Sequence, residues 1–132
     1  MNVQKFSTDF QTLVHRIQNN SVPTHPGYTS FHSRLKSFEH FPSNFFQNKY
    51  ALAECGLKYT GVEDIVECFC CGLILYNWKR EDDVWIEHCR YNPKCIYVLL
   101  MKGNLFVQKV LSKYCKNEYI CNCENRSYDT VC

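Results

Sequence analysis

Four residues in the stretch CFCCGLILYNWKREDDVWIEHCRYNPKC constrain the fold more than any others. Cys68 and Cys71 are separated by two residues, His88 follows after sixteen more, and Cys95 after a further six. A two-residue gap lets both thiolates of a tight turn point at one ion, and Gly72 supplies the positive φ that such a knuckle needs. Three thiolates and one imidazole complete a tetrahedron around a dication and leave no position for water, so the spacing predicts one structural zinc, not a catalytic one. The segment places His88 on a helix and Cys95 at the start of the next, so the ion would tie a sheet to helices. Cys70, one residue from Cys71, and Cys89, beside His88, are assigned to packing or solvent.

The chain has ten cysteines in 132 residues, which in a short chain means either a disulfide framework or a metal site. The first residues, MNVQKFSTDFQTLVHRIQ, interrupt every apolar stretch with polar residues, so no secretory leader is expected, and no segment has about 18 consecutive apolar residues. A reducing compartment follows as the expectation: the cytoplasm, or the host cytoplasm for a viral protein. Cys115, Cys121, Cys123 and Cys132 have no histidine after His88 to join them, and are read as free or oxidisable thiols. Charged residues make up 21% of the chain and nearly cancel, to +2, without a long run of one sign. That balance argues against nucleic acid and membrane as partners.

Periodicity divides the chain into three parts: 1–27 an N-terminal helix and linker, 28–114 a zinc domain, and 115–132 a cysteine-rich tail. Phe6, Phe10, Leu13, Val14 and Ile17 fall at helical spacing, and Pro23, Pro26 and Gly27 mark the linker. Thr29 or Ser30 can cap a helix through Phe31, Leu35 and Phe38 that cannot pass Pro42. A second helix carries Tyr50, Leu52 and Ala53 and stops at Gly56. Three alternating segments, Leu57 to Tyr59, Ile65 to Cys68 and Leu73 to Tyr76, predict an antiparallel meander with turns at Gly61 and Gly72. A helix from Val84 to Tyr91 follows Asp82 and Asp83. A further helix from Cys95 ends near Gly103, and a last one carries Leu105, Phe106, Val110 and Leu111. The fold class is α+β: a small zinc-stapled domain with a three-stranded antiparallel sheet among four to five short helices.

Arg34 and Phe38, the run LAECGLKYTGVEDIVECFCCG and the run WKREDDVWIEHCRYNPKC together resemble the baculoviral IAP repeat (BIR) of the inhibitor-of-apoptosis proteins. The resemblance covers about residues 28 to 112, and HPGYTSFHSRLKSF and YVLLMKGNLFVQKV are most similar to the second repeat of insect-virus members. It implies that Arg34 is a buried arginine of the first helix and that Gly61 makes the turn between the first two strands. In the peptide-binding subclass it also implies a groove for a free N-terminal Ala-x-Pro-type motif, added as a strand along the third strand. Carried over residue by residue, Leu75, Tyr76 and Asn77 line that strand, Trp78 forms an aromatic wall, Asp82 accepts the α-ammonium with Glu87 beside it, and Tyr91 faces it across the pocket.

This sequence departs from the family pattern at several of these positions. Tyr91 stands where tryptophan is usual, Glu87 where glutamine is frequent, Ile74 where glycine often allows close backbone approach, Val84 where proline is common, and Phe41 where tryptophan usually precedes the proline. The expected function is a non-enzymatic inhibitor of apoptosis that captures exposed N-termini of pro-apoptotic antagonists or processed caspases. No RING ligand series is present, so ubiquitin-ligase activity would need a RING-bearing relative as partner. A second reading is a chromosome-passenger-like adaptor that recognises a chromatin tail or a helical partner.

Overall fold

The computed structural model describes residues 22–122, with side chains to Tyr114. The amphipathic segment expected over 1–20, the thiols of the tail and residues 123–132 lie outside the described residues or side chains. A 3-10 turn, Pro26–Tyr28, leads into helices α1 (Phe31–Ser37) and α2 (Lys49–Glu54). Strands β1 (Leu57–Tyr59), β2 (Val66–Cys68) and β3 (Ile74–Leu75) follow, then helices α3 (Val84–Tyr91) and α4 (Ile96–Asn122). Gly103, at φ 87° and ψ 163°, breaks α4. The expected α+β architecture is therefore present, with the expected break near Gly103, although the backbone stays helical to Asn122, beyond the point at which a loose tail was expected.

Local chemistry explains the helix starts. The Ser30 hydroxyl accepts from the Ser33 N–H at 3.1 Å, and Asp83 Oδ1 accepts from the Ile86 N–H at 3.1 Å. Asn48 Oδ1 accepts from the Tyr50 and Ala51 N–H groups, a cap not anticipated from sequence. Each satisfies amides that the first helical turn leaves without a partner. Helix α2 ends at Cys55, and Gly56 turns the chain at φ 88°. A Cβ at Gly56 would sit 2.8 Å from the Tyr97 ring, so both the backbone angle and the close approach require glycine there.

The sheet order is β1-β2-β3, antiparallel throughout, with Leu57 opposite Cys68 and Val66 opposite Leu75. β3 is an edge strand and shorter than the Leu73 to Tyr76 segment expected. At its start the Leu73 carbonyl is taken by the Cys68 N–H at 2.9 Å, inside the knuckle. At its end the Asp64 carboxylate accepts from the Asn77 and Trp78 N–H groups at 3.0 and 2.8 Å, and Asn77 turns at φ 59°. Side-chain and turn hydrogen bonds thus replace ladder pairing at both ends. The segment read as a linker is also docked: the Thr24 N–H donates to Cys70 O at 3.1 Å and the His25 N–H to Phe69 O at 2.8 Å. His25 Nε2 lies 2.8 Å from Glu67 Oε2. Residues 24 and 25, inside the segment read as a linker, thus contact the turn after β2 and the strand itself.

The core gathers Phe38, Leu52, Leu57, Val66 and Val98, all fully buried. Phe41, at the usual tryptophan position, packs edge-on against Phe38 and Tyr59 at 5.1 and 5.0 Å. Val84 is buried in the same cluster. Among the described residues no single helix is long and apolar enough to cross a membrane.

Arg34 is 2% exposed, as the resemblance implied. Its Nε–H donates to Ala53 O at 2.8 Å, Nη1 to Tyr28 O and Thr29 O at 3.0 and 2.7 Å, and Nη2 to Tyr97 Oη at 3.2 Å. The guanidinium also lies over the rings of Phe69 and Tyr97, at 4.8 and 5.3 Å. One planar fork thus serves three carbonyls from two segments. A lysine ammonium cannot reproduce that geometry. Arg34→Lys is expected to lower unfolding stability by about 2–4 kcal/mol, because it leaves buried carbonyls unpaired. Urea titration of the metal-loaded protein checks this, and a change under about 0.5 kcal/mol would contradict it.

Candidate metal centre and groove

Cys68 ends β2, Cys71 closes the turn after it, His88 lies in the middle of α3, and Cys95 immediately precedes α4. Their donor atoms all lie within 4.8 Å of one another, so the four residues that the spacing singled out converge in space. Tetrahedral zinc with bonds of about 2.3 Å to sulfur holds its donors about 3.8 Å apart. Cys68 Sγ and Cys95 Sγ are 3.9 Å apart, and Cys71 Sγ is 3.8 Å from His88 Nε2. The donor set fits one such ion.

The surroundings orient these donors. Cys68 Sγ accepts from the N–H groups of Cys70 and Cys71 at 3.3 and 3.4 Å, and Gly72 at φ 79° turns the knuckle. His88 is fully buried, and its Nδ1 lies 3.0 Å from Cys55 O. With Nδ1–H donating to that carbonyl, Nε2 presents its lone pair to the cluster. Hydrogen bonds from Cys68 and Cys95 hold the Cys71 thiol well below its ordinary pKa, whereas its bond to Cys71 pushes Cys68 up to about 12. Cys89 is buried and its thiol is pushed up to about 11 by desolvation, as suits a packing residue. Cys70 is half-buried, with its thiol lowered to about 7 chiefly by a hydrogen bond from Cys95, and it stands outside the tetrad.

A second feature lies along the free edge of β3. A cavity of about 350 Å³ is lined by Leu75, Tyr76, Asn77, Trp78, Lys79, Asp82, Glu87, Arg90 and Tyr91. All seven groove residues named from the sequence border it, and Lys79 and Arg90 are additions. Tyr76 and Tyr91 are 61% and 58% exposed, whereas Leu75 and Trp78 are buried. The Trp78 wall is therefore set into the core, and its indole N–H has no hydrogen-bond partner among the described residues.

The two aspartates before α3 do different work. Asp83 caps the helix, while Asp82 Oδ2 accepts from the Lys79 N–H at 2.8 Å and closes the loop before it. Gln47 braces the same loop, donating to Lys79 O and Asp82 O at 2.9 and 3.3 Å. Glu87 is held above the usual carboxylate range by burial and then by the neighbouring Asp82, with Arg90 opposing. Asp64, Gln47 and Arg90 escaped the sequence reading. The contacts of Asp64 and Gln47 span long separations and obey no local period, whereas Arg90 stands at helical i,i+3 spacing from Glu87, a signal the sequence did carry.

The family model of the BIR, or inhibitor of apoptosis, domain matches residues 34–99. The chain belongs to this family. This BIR chain is 40% identical over 101 residues to death-associated inhibitor of apoptosis 2 of Drosophila melanogaster, covering 76% of this chain and 20% of that protein. It is 41% identical over 95 residues to the E3 ubiquitin-protein ligase IAP-3 of Orgyia pseudotsugata multicapsid polyhedrosis virus, covering 72% of this chain and 35% of that one. The chain thus spans about a fifth to a third of the length of these relatives. Among solved structures, the BIR1 domain of DIAP1 bound to a Grim peptide covers 51% of this chain and 68% of its own, at 36% identity and a TM-score of 0.48.

Metal binding to such a set releases protons and contributes folding free energy, about 10–16 kcal/mol in zinc-finger peptides. One zinc per chain is expected by elemental analysis. A chelator is expected to abolish cooperative unfolding, and acidification to release the ion as protons compete for the thiolates and the imidazole. Cys71→Ser and His88→Ala should lose the metal, whereas Cys70→Ser and Cys89→Ser should keep it. A Cys70→Ser variant as metal-poor as Cys71→Ser would overturn the assignment.

Proposed function

We propose that this BIR chain is a non-enzymatic, zinc-stabilised binding module that inhibits apoptosis by capturing free Ala-x-Pro-type N-termini of pro-apoptotic antagonists or processed caspases. The observation that carries the reading is the cavity itself. Two carboxylates, Asp82 and Glu87, border a pocket that opens beside an unpaired strand edge. An extended peptide can add to that edge through main-chain hydrogen bonds while a fixed carboxylate takes its ammonium. Losing one member of such a buried charge pair costs about 2–5 kcal/mol. Family membership supports the same role, and a closed set of four protein donors supports a structural rather than catalytic ion.

In this reading Asp82 is the ammonium acceptor, with Glu87 beside it. Trp78 and Tyr91 bound a pocket sized for a small first side chain, and a proline at the third peptide position lies against the aromatic wall at little entropic cost. Ile74, 52% exposed on the edge strand, stands where the peptide backbone would approach. We place the protein in the cytoplasm, or in the host cytoplasm if it is viral, where its thiolates stay reduced. A RING-bearing relative is a further partner in this scheme, supplying the ligase activity that one relative's name carries.

Fluorescence-anisotropy titration of zinc-loaded protein with a labelled Ala-Val-Pro-Ile peptide tests the groove. Micromolar or tighter binding is expected, weakened at least about tenfold by N-acetylation and similarly by Asp82→Ala, in line with loss of a charge pair. Equal binding of free and acetylated peptide would sink the reading.

A further inference from the structure

Arg90 sits in the last turn of α3, on the cavity wall, and its guanidinium is gripped from two sides. The Tyr91 ring lies 4.9 Å from its Cζ and the Tyr114 ring, contributed by α4, lies 4.4 Å away. Nη1 is 3.6 Å from Glu87 Oε1, and the two side chains are 34% and 15% exposed. A guanidinium stacked on aromatic faces loses little of its freedom when it pairs with a carboxylate. Asp82, by contrast, has no ion-pair partner within 4.0 Å among the described residues, and one of its oxygens is committed to the Lys79 amide.

The cavity wall therefore holds two carboxylates in different electrostatic states. With Glu87 unpaired, two adjacent negative charges would attract any dication. With Glu87 matched, Asp82 is the carboxylate left without a close ion-pair partner, since Lys79, on the same wall, makes no ion pair with it within 4.0 Å. Resting on the groove reading above, we propose that Arg90, clamped between Tyr91 and Tyr114, is a positioning residue that cancels Glu87, so that the groove selects N-termini bearing a single positive charge over dicationic ones. Tyr114 makes this a property of the terminal helix as well as of the groove. Tyr114 does not line the cavity itself and bears on it through Arg90.

Two peptides, Ala-Val-Pro-Ile and Ala-Lys-Pro-Ile, differ by one charge within a Debye length of the captured ammonium. Their affinities, each measured beside an N-acetylated twin, give a preference ratio for each protein. Arg90→Gln is expected to shift that ratio toward the lysine peptide by about two- to fivefold, the range of a partly exposed charge pair, and the shift should shrink in high salt. Tyr114→Ala should shift it in the same direction and Tyr114→Phe should not, because the phenyl ring keeps the stack. Adding Glu87→Gln to Arg90→Gln should restore the wild-type ratio.

A ratio unchanged in a zinc-loaded, cooperatively folding Arg90→Gln protein that still prefers the free amine would overturn the role of Arg90 and leave the groove standing. Should that variant fail to fold, Glu87→Gln alone serves: it leaves Arg90 unmatched and is expected to move the ratio away from the lysine peptide, and no movement overturns the proposal. Indifference of the wild-type protein to acetylation would overturn the groove and the proposal together.

Discussion

Cys68, Cys71, His88 and Cys95 come from four successive pieces of the chain: the end of a strand, the turn after it, the middle of α3 and the approach to α4. The strands are three, three and two residues long, and such short pairings have little independent stability. Neither the sheet nor α3 makes a free-standing unit. A dication held by this set would join these weak local structures into one cooperative body, its binding energy counting as folding energy. That is the reason so many donors and N–H···S contacts are spent on one point in a chain of this length.

Arg34 fastens the helices beside this centre by different means. Its fork joins the 3-10 turn, the end of α2 and the ring of Tyr97, and Tyr97 in turn donates to Glu54 O at 2.9 Å. The same ring stands against Gly56, where no side chain fits, and stacks on Trp85. The cross-link therefore extends from the helical N-terminal layer to α4 without crossing the sheet. The metal centre joins sheet to helices, while Arg34 joins the 3-10 turn, α2 and α4 and stacks on Phe69 beside the knuckle.

The parts legible in the sequence share one property: their chemistry is carried by residue type at short, fixed spacing. The donors at Cys68, Cys71, His88 and Cys95, the period-two alternation of β1 and β2, and the breaks at Gly56 and Gly103 are of this kind. Arg34 and the groove set came from family resemblance, since an arginine on a short helix reads by itself as a solvated charge. What stayed hidden depends on backbone meeting side chain across the fold. Asp64 takes the amides of Asn77 and Trp78 and so truncates β3, and nothing in its neighbourhood announces that. The docking of Thr24 and His25 combines backbone hydrogen bonds with side-chain contacts to Cys70 O and Glu67, all between segments far apart in sequence, so no local pattern announces it. Pro23, Pro26 and Gly27 give the segment a linker's composition, and composition is silent about such contacts.

Groove and metal are mechanically one device. β3 is pinned at its start by the knuckle, through Leu73 O, and at its end by Asp64. Glu87 is the chain neighbour of His88, and Asp82 lies one residue ahead of the α3 cap, so the ligand that seats the helix on the cluster also fixes how far both carboxylates stand from the strand edge. Asp82, held further by the Lys79 N–H, is thereby restrained before any ligand arrives, and restraint of that kind lowers the ordering cost of binding in the proposed groove. The buried indole of Trp78 fits the same logic: a side chain locked into the core presents a wall that cannot move aside. An ion held by the four donors would thus also stiffen the wall of the cavity beside β3.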